Sequence, residues 1–287
     1  LHIRNQIMWM KNKYFSIFPS AFLKYDISKE SELSLSYSRR INRPTSENLN
    51  PFTSYADPYN LRLGNPALKP EYINSFDFGY SLNKKKFNIT ASVFYRQTKS
   101  VISRVKQFYD NGASSVSYAN LDNSVSFGPE IVFVYRPFPW MKNMLSGNGN
   151  NIKFTDDTPG SNWNNSGFFW SVKYAGTFEF WKKTATLQVN ARYNSPVVTA
   201  QGIFQPRASA DLSGDKTLKD GKWTIGFRLT DVFDTQEFRF QVIQPGATQQ
   251  AGFKQNTRRF YLNVSYKFGK YDIKKAKVNG EGGGFDF

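Results

Sequence analysis

Apolar and polar side chains alternate with a period of two along most of this chain. Leu33, Leu35 and Tyr37 alternate with Ser34, Ser36 and Ser38, and Phe76, Phe78, Tyr80 and Leu82 alternate with Asp77, Gly79 and Ser81. The same rhythm runs through Phe87, Ile89, Ala91, Val93 and Tyr95, through Phe168, Trp170, Val172 and Tyr174, and through Ala185, Leu187, Val189, Ala191 and Tyr193. Trp223, Ile225, Phe227 and Leu229 repeat it, and so do Phe260, Leu262, Val264, Tyr266 and Phe268. Successive side chains of a strand point to opposite faces, so each segment reads as a strand with one apolar and one polar face. Eleven strands are predicted, near 14–25, 31–39, 74–82, 87–97, 116–135, 140–154, 166–181, 185–193, 206–218, 223–242 and 258–268. Pro129 interrupts its alternating face and predicts a bulge. No segment carries a helical stripe.

The connections between these strands alternate in length. Short ones fall at Asp26–Glu30, Asn83–Lys86, Arg136–Pro139, Lys182–Thr184 and Lys219–Lys222. Long ones fall at Arg40–Ile73, Thr98–Ser115, Thr155–Asn165, Asn194–Gln205 and Ile243–Thr257. An antiparallel meander with tight turns at one end and long loops at the other is the layout of outer-membrane barrels, whose turns are periplasmic and whose loops are extracellular. A soluble β-sandwich and a soluble ligand-binding barrel also alternate. The polar faces here, rich in Ser, Asn, Thr, Lys and Glu, suit a wet lumen better than a dry core. Tyr25, Tyr80, Phe87, Tyr135, Trp140, Trp181, Trp223 and Phe268 lie beside the short turns, where amphipathic rings favour a membrane interface.

Composition narrows the chemistry. The 287 residues contain no cysteine and one histidine, His2, which excludes a thiolate metal site and makes a histidine-based metal cluster or catalytic triad an unsuitable reading. No cofactor is expected, and no run of apolar residues is long enough for a membrane-spanning helix. The formal charge is +16. Its lysines and arginines are scattered in short groups and match no nucleic-acid-binding signature, so no nucleic acid partner is expected. The chain begins at Leu1 without a signal-peptide pattern, and eleven is odd where single-chain bacterial outer-membrane barrels have an even number of strands. The expectation is therefore the C-terminal half of a 22-stranded transmembrane antiparallel β-barrel, all-β, over residues 1–269. A basic and then glycine-rich periplasmic tail follows over 270–287. The tail reads by default as disordered, or more sharply as a docking peptide ending in Phe285-Asp286-Phe287.

From Ser36 to Tyr80 the sequence resembles the outer-membrane β-barrel family of TonB-dependent receptors. The segments that carry this are Tyr37–Arg40, Asn50–Phe52, Gly64–Pro66, Leu68–Glu71 and Gly79-Tyr80, with Asp231–Asp234 and the aromatic last strand in support. The resemblance implies a multi-pass protein of the bacterial outer membrane that imports a scarce nutrient. It also implies a plug domain, energy from the TonB complex delivered through an N-terminal region outside this chain, and in some relatives a surface lipoprotein lid. Outer-membrane lipid is the other expected partner. A structural or accessory barrel subunit without import activity is the alternative.

No catalytic constellation accompanies the pattern, and the expectation is a protein that is not an enzyme. Glu32, Asp77, Glu130, Glu179 and Asp211 stand on polar faces of different strands, which argues against a carboxylate pair. Arg96, Lys173, Glu179, Arg192 and Arg228 are expected to face the lumen or plug, with Lys24, Arg259 and Lys267 among the further cations there. Arg40, Arg43, Tyr55, Tyr59 and Asn60, in or beside the longest loop, are the candidate ligand contacts, since binding residues concentrate on loops over a rigid scaffold.

Overall fold

The computed structural model describes residues 15–54, 57–109, 112–157, 163–218, 221–244 and 247–268. Its strands are β1 (Ser20–Asp26), β2 (Ser31–Asn42), β3 (Asn60–Arg62), β4 (Glu71–Asn83), β5 (Phe87–Phe108), β6 (Ser114–Tyr135), β7 (Met141–Thr155) and β8 (Asn165–Phe180), followed by β9 (Ala185–Asn194), β10 (Val197–Thr199), β11 (Gly202–Phe204), β12 (Arg207–Leu218), β13 (Trp223–Thr230), β14 (Phe238–Gln244), β15 (Ala247–Phe253) and β16 (Arg259–Tyr266). One short helix, α1 (Ser46–Leu49), sits in the connection after β2. The large sheet runs β1-β2-β4-β5-β6-β7-β8-β9-β12-β13-β16, eleven strands in sequence order and all antiparallel, with β3 added in parallel to β6. These eleven are the eleven read from the alternation. β1 and β16 are the two edges, so the sheet of the described residues is open.

Register turns the alternation into two surfaces. Tyr25, Leu33, Tyr80, Ala91, Ile131, Gly147, Val172, Tyr193 and Ala208 lie opposite one another across nine strands in a row with no charge. One residue away, Lys24, Ser34, Gly79, Ser92, Glu130, Asn148, Ser171, Asn194 and Arg207 form the matching polar row. On the apolar face Leu23 is 67%, Phe78 52%, Val93 54% and Leu262 67% exposed. So large an uncovered apolar surface would be strongly unfavourable in water and is what lipid covers in an outer-membrane barrel.

Four details differ from the sequence reading. The segment 223–242 is not one strand: β13 stops at Thr230, Asp231 turns at φ 45°, and β14 joins a separate four-stranded sheet ordered β10-β11-β14-β15. The first strand starts at Ser20, residues 15–19 are not strand, and Tyr14 lies outside the described residues. Pro129 makes no bulge, because Phe127 pairs with Asn151 and Glu130 with Asn148 in one unbroken register. There the proline removes a donor, and pairing with β7 lapses at residues 128 and 129 without a slip in register. Finally, Thr98–Ser115 is not a long loop. β5 and β6 remain paired out to Phe108↔Ser114, giving strands of 22 residues where crossing a membrane takes about 9–11. Lys99, Arg104 and Lys106 spoil the apolar alternation there, but a ladder beyond the membrane needs no apolar face.

The long-connection end holds the densest packing. Val101, Leu121 and Ala200 are buried together with Phe154 and Trp163 against them. The β10–β11 tip is tied to β5, since Gln201 Oε1 accepts the Lys106 N–H at 2.6 Å and its amide donates to the Lys106 carbonyl at 3.3 Å. The connection over residues 43–70 lies on the β5–β6 extension. Leu68 is buried, Asn65 donates to the Tyr118 carbonyl, and the Asn120 side chain both accepts from Lys69 N–H and donates to its carbonyl.

Candidate functional site

The second sheet roofs the polar face of the first at its long-connection end. Ser195, buried at the end of β9, binds back to β8: its Oγ accepts the Trp170 N–H at 2.8 Å and its N–H donates to the Trp170 carbonyl at 2.9 Å. Asn165 donates to the Thr199 carbonyl, which holds the end of β10 against β8. Phe204 of β11 packs edge-on against Phe238 at 5.4 Å and against Phe240 at 4.5 Å, and Gln205 donates to the Arg239 carbonyl. Between these elements lies a cavity of about 320 Å³. Phe169, Ser171, Asn194 and Arg207 come from the polar face, and Phe204, Phe238 and Arg239 come from the roof. The space is at the small end of the range for ligand pockets, with aromatic rings and polar side chains sharing its walls. Two arginines are among the residues that line it. Arg239 Nε is 3.5 Å from a Glu237 carboxylate in an exposed pair, and Arg207 is exposed. Aromatic faces beside an exposed arginine at the end of the polar face suit a ligand that carries a carboxylate or other planar anion beside apolar surface.

The residues expected at the lumen are all on the polar face. Lys173 and Arg192 are direct cross-strand neighbours, and Arg192 Nε donates to Ser209 at 3.1 Å. Glu179 pairs with Lys183 at 3.3 Å; Arg96 lies between Ser75 and Ser126, and Arg228 between Ser213 and Tyr261. None of these five lines the roofed cavity.

The loop candidates are not gathered into one site. Tyr55 lies outside the described residues, Arg40 is an exposed residue within β2, and Arg43 is exposed just beyond it. Tyr59 and Asn60 fasten the loop to the hairpin. The Tyr59 carbonyl accepts the Ser114 N–H, and Asn60 Oδ1 accepts from Ser114 Oγ at 2.9 Å and Lys106 Nζ at 3.3 Å. The Asn60 amide and then the Tyr59 N–H hold the Asp57 carboxyl below its ordinary range. Arg207 and Arg239 escaped sequence reasoning as site residues because both fell inside segments read as plain strand, 206–218 and 223–242.

The turn after β13 is organised by a fully buried carboxylate. Asp231 accepts from the N–H groups of Thr235 and Gln236, each at 3.0 Å, and from the Thr257 hydroxyl at 2.5 Å, while its own N–H donates to Asp211. Burial pushes this carboxyl up, and the hydrogen bonds outweigh burial and hold it below its ordinary value.

A family model described as "Outer membrane protein beta-barrel family" matches residues 3–266. Among solved structures, the ferric yersiniabactin uptake receptor FyuA from Yersinia pestis is similar, with 14% identity and TM-score 0.60 over 87% of this chain and 37% of that one. The siderophore receptor PirA from Pseudomonas aeruginosa shares 12% identity with TM-score 0.58, over 88% and 42% of the respective chains. The copper transporter OprC shares 15% with TM-score 0.61, over 88% and 40%. The chain thus spans about two-fifths of the length of each, and at such identities the likeness is one of fold. No curated protein matches it in sequence.

Proposed function

The chain belongs to the outer membrane protein beta-barrel family, and on that premise we propose that it is the barrel portion of an energy-coupled receptor importing a small anionic nutrient. Its place is the bacterial outer membrane. The observation that carries the ligand class is the roofed cavity, where Arg207 and Arg239 stand beside Phe169, Phe204 and Phe238 at the end of the polar face. Beneath it the polar face continues with Lys173 and Arg192 side by side, a cationic wall that would favour an anion along the same path. Import would draw on the TonB complex through residues beyond this chain. A lipoprotein lid, known for some barrels of this kind, would sit over the long-connection end.

Uptake of radiolabelled iron chelates by cells carrying or lacking the full-length gene tests this reading. Uptake lost in the deletion strain, lost again when TonB is inactivated, and reduced by Arg207→Ala with Arg239→Ala supports it. Unchanged uptake of every anionic chelate and anionic nutrient tried would favour an accessory barrel without import.

A further inference from the structure

Lys216 breaks the apolar face at the short-turn end. The residues of β12 that share its face are Ala208, Ala210, Leu212, Gly214 and Leu218, and its cross-strand neighbours are Ala185 and Ile225. A cation in such a row is costly unless it reaches polar surroundings, and Lys216 stands only two residues, roughly 7 Å, from the strand end. Its ammonium lies 3.9 Å from the centroid of the Trp181 ring and 3.3 Å from the Thr184 hydroxyl. Trp181 is 70% exposed and is set by a turn in which Trp181, Lys182 and Lys183 all have left-handed φ, at 47°, 55° and 69°. Lys183 is engaged by Glu179 on the polar side. Among the described residues, neither Lys182 nor Lys216 has a carboxylate partner.

The surroundings match one kind of occupant. Phe180 packs against both Trp181 and Trp140, and Trp140 stacks on Phe138 at 5.4 Å, so apolar ring surface continues beside the cations on the membrane side. The five short connections together contain nine basic residues against three acidic, which marks this end as complementary to an anionic layer. We propose that Trp181, Lys182 and Lys216 form a binding site for the phosphate of an anionic glycerophospholipid in the membrane leaflet that borders the short turns. The two ammonium groups would meet the headgroup, and the Phe138–Trp140–Phe180 surface would pack along the acyl chains. The lysine stem would lie on apolar surface while its charge reaches the interface, as long cationic side chains do.

The test uses the full-length protein in neutral detergent, with bound lipid counted by native mass spectrometry after exposure to phosphatidylglycerol or phosphatidylethanolamine of identical acyl chains. Wild type is expected to retain the anionic lipid preferentially. Lys182→Gln with Lys216→Gln should lower that retention about tenfold, Lys216→Arg should preserve it, and Lys24→Gln on the polar face should leave it unchanged. Equal retention of both lipids by the unmodified protein would overturn the proposal without reference to any variant. Displacement of the lipid by millimolar inorganic phosphate would reassign the site to free phosphate. Lipid occupancy is read independently of uptake, so this result stands apart from the proposed import.

Discussion

Glu71 Oε1 accepts the backbone N–H of Ile102 at 2.6 Å, from a position where β4 no longer pairs with β5. The β4–β5 ladder ends at Tyr72↔Lys99, and β5 then turns through Ser100 at φ 55°. The carboxylate of a nearly buried side chain thus supplies the acceptor that the missing strand would have supplied, while Oε2 accepts from Asn42 on β2 at 2.6 Å. Buried backbone donors are almost always satisfied, and Glu71 satisfies this one. Glu71→Ala is expected to cost about 1–3 kcal/mol by leaving the Ile102 N–H and the Asn42 amide without acceptors. Glu71→Gln, which keeps one carbonyl acceptor, should cost less. Urea titration of the full-length protein in vesicles measures both.

Asp231 should make its turn sensitive to acid. A carboxyl depressed in the folded state stabilises above its unfolded value, 3.8, and loses that stabilisation as pH falls through the lower folded value. Hydrogen exchange at Thr235 and Gln236, corrected for intrinsic rate, is expected to stay slow from neutral pH down to about pH 4 and to rise below it. Asp231→Asn should remove this pH dependence. Slow exchange persisting at strongly acidic pH would contradict the role given to the carboxylate.

The two faces of β13 can be told apart by charge. Phe227 pairs with Leu262 in the apolar set, and Arg228 pairs with Ser213 and Tyr261 in the polar set. Phe227→Arg is expected to cost roughly 2–4 kcal/mol of folding free energy in bilayers if it lies near the midplane. Arg228→Ser should leave folding nearly unchanged. The reverse ranking would place the lipid on the other face.

Backbone approach separates two glycines of neighbouring strands. A Cβ on Gly128 would meet the Gly149 carbonyl oxygen at 1.9 Å, whereas a Cβ on Gly147 would meet nothing closer than 3.5 Å. Gly128→Ala should force β6 and β7 apart at a cost of about 1–3 kcal/mol, and Gly147→Ala should be tolerated. Equal midpoints in a denaturant titration would show that the strands can relax around the methyl group.

Accessibility distinguishes the two ends. In a full-length protein otherwise free of cysteine, Tyr59→Cys should react with a membrane-impermeant maleimide on intact cells, and Lys85→Cys should react only after the outer membrane is opened. Tyr59 is 68% exposed, so its reactivity reports side of membrane and not burial. The opposite pattern would invert the topology.

What was legible in the sequence follows from what fixes each element. A strand between lipid and water must alternate, so Phe76–Leu82 and Trp223–Leu229 announced themselves, and their order followed from connection length. Where no lipid is present that rule lapses. Residues 98–115 read as loop because Lys99, Arg104 and Lys106 obey no apolar period, although their backbones pair fully with β6. Phe238, Phe240 and Val242 again alternate with period two, so 223–242 read as one segment, although their phase is shifted by one from Trp223–Leu229 and the buried Asp231 turns the chain between them. The cavity was invisible for the same reason: Arg207 and Arg239 are brought together by the pairing of β11 with β14, and short ladders of three residues leave no periodic trace. Tyr59 and Asn60 look like ligand contacts in a list of loop residues, but their hydrogen bonds serve the loop itself.

The 22-residue strands of the β5–β6 hairpin carry their ladder well past the length a membrane crossing needs. At about 3.3 Å per residue, the half beyond the membrane rises roughly 30 Å above it once barrel tilt is allowed for. Because it is a ladder fastened to the 43–70 connection and to Gln201, it stands as a mast and not as a tether. A small solute can pass beside a mast. A bulky particle approaching from that end would be held off by the height of the paired strands.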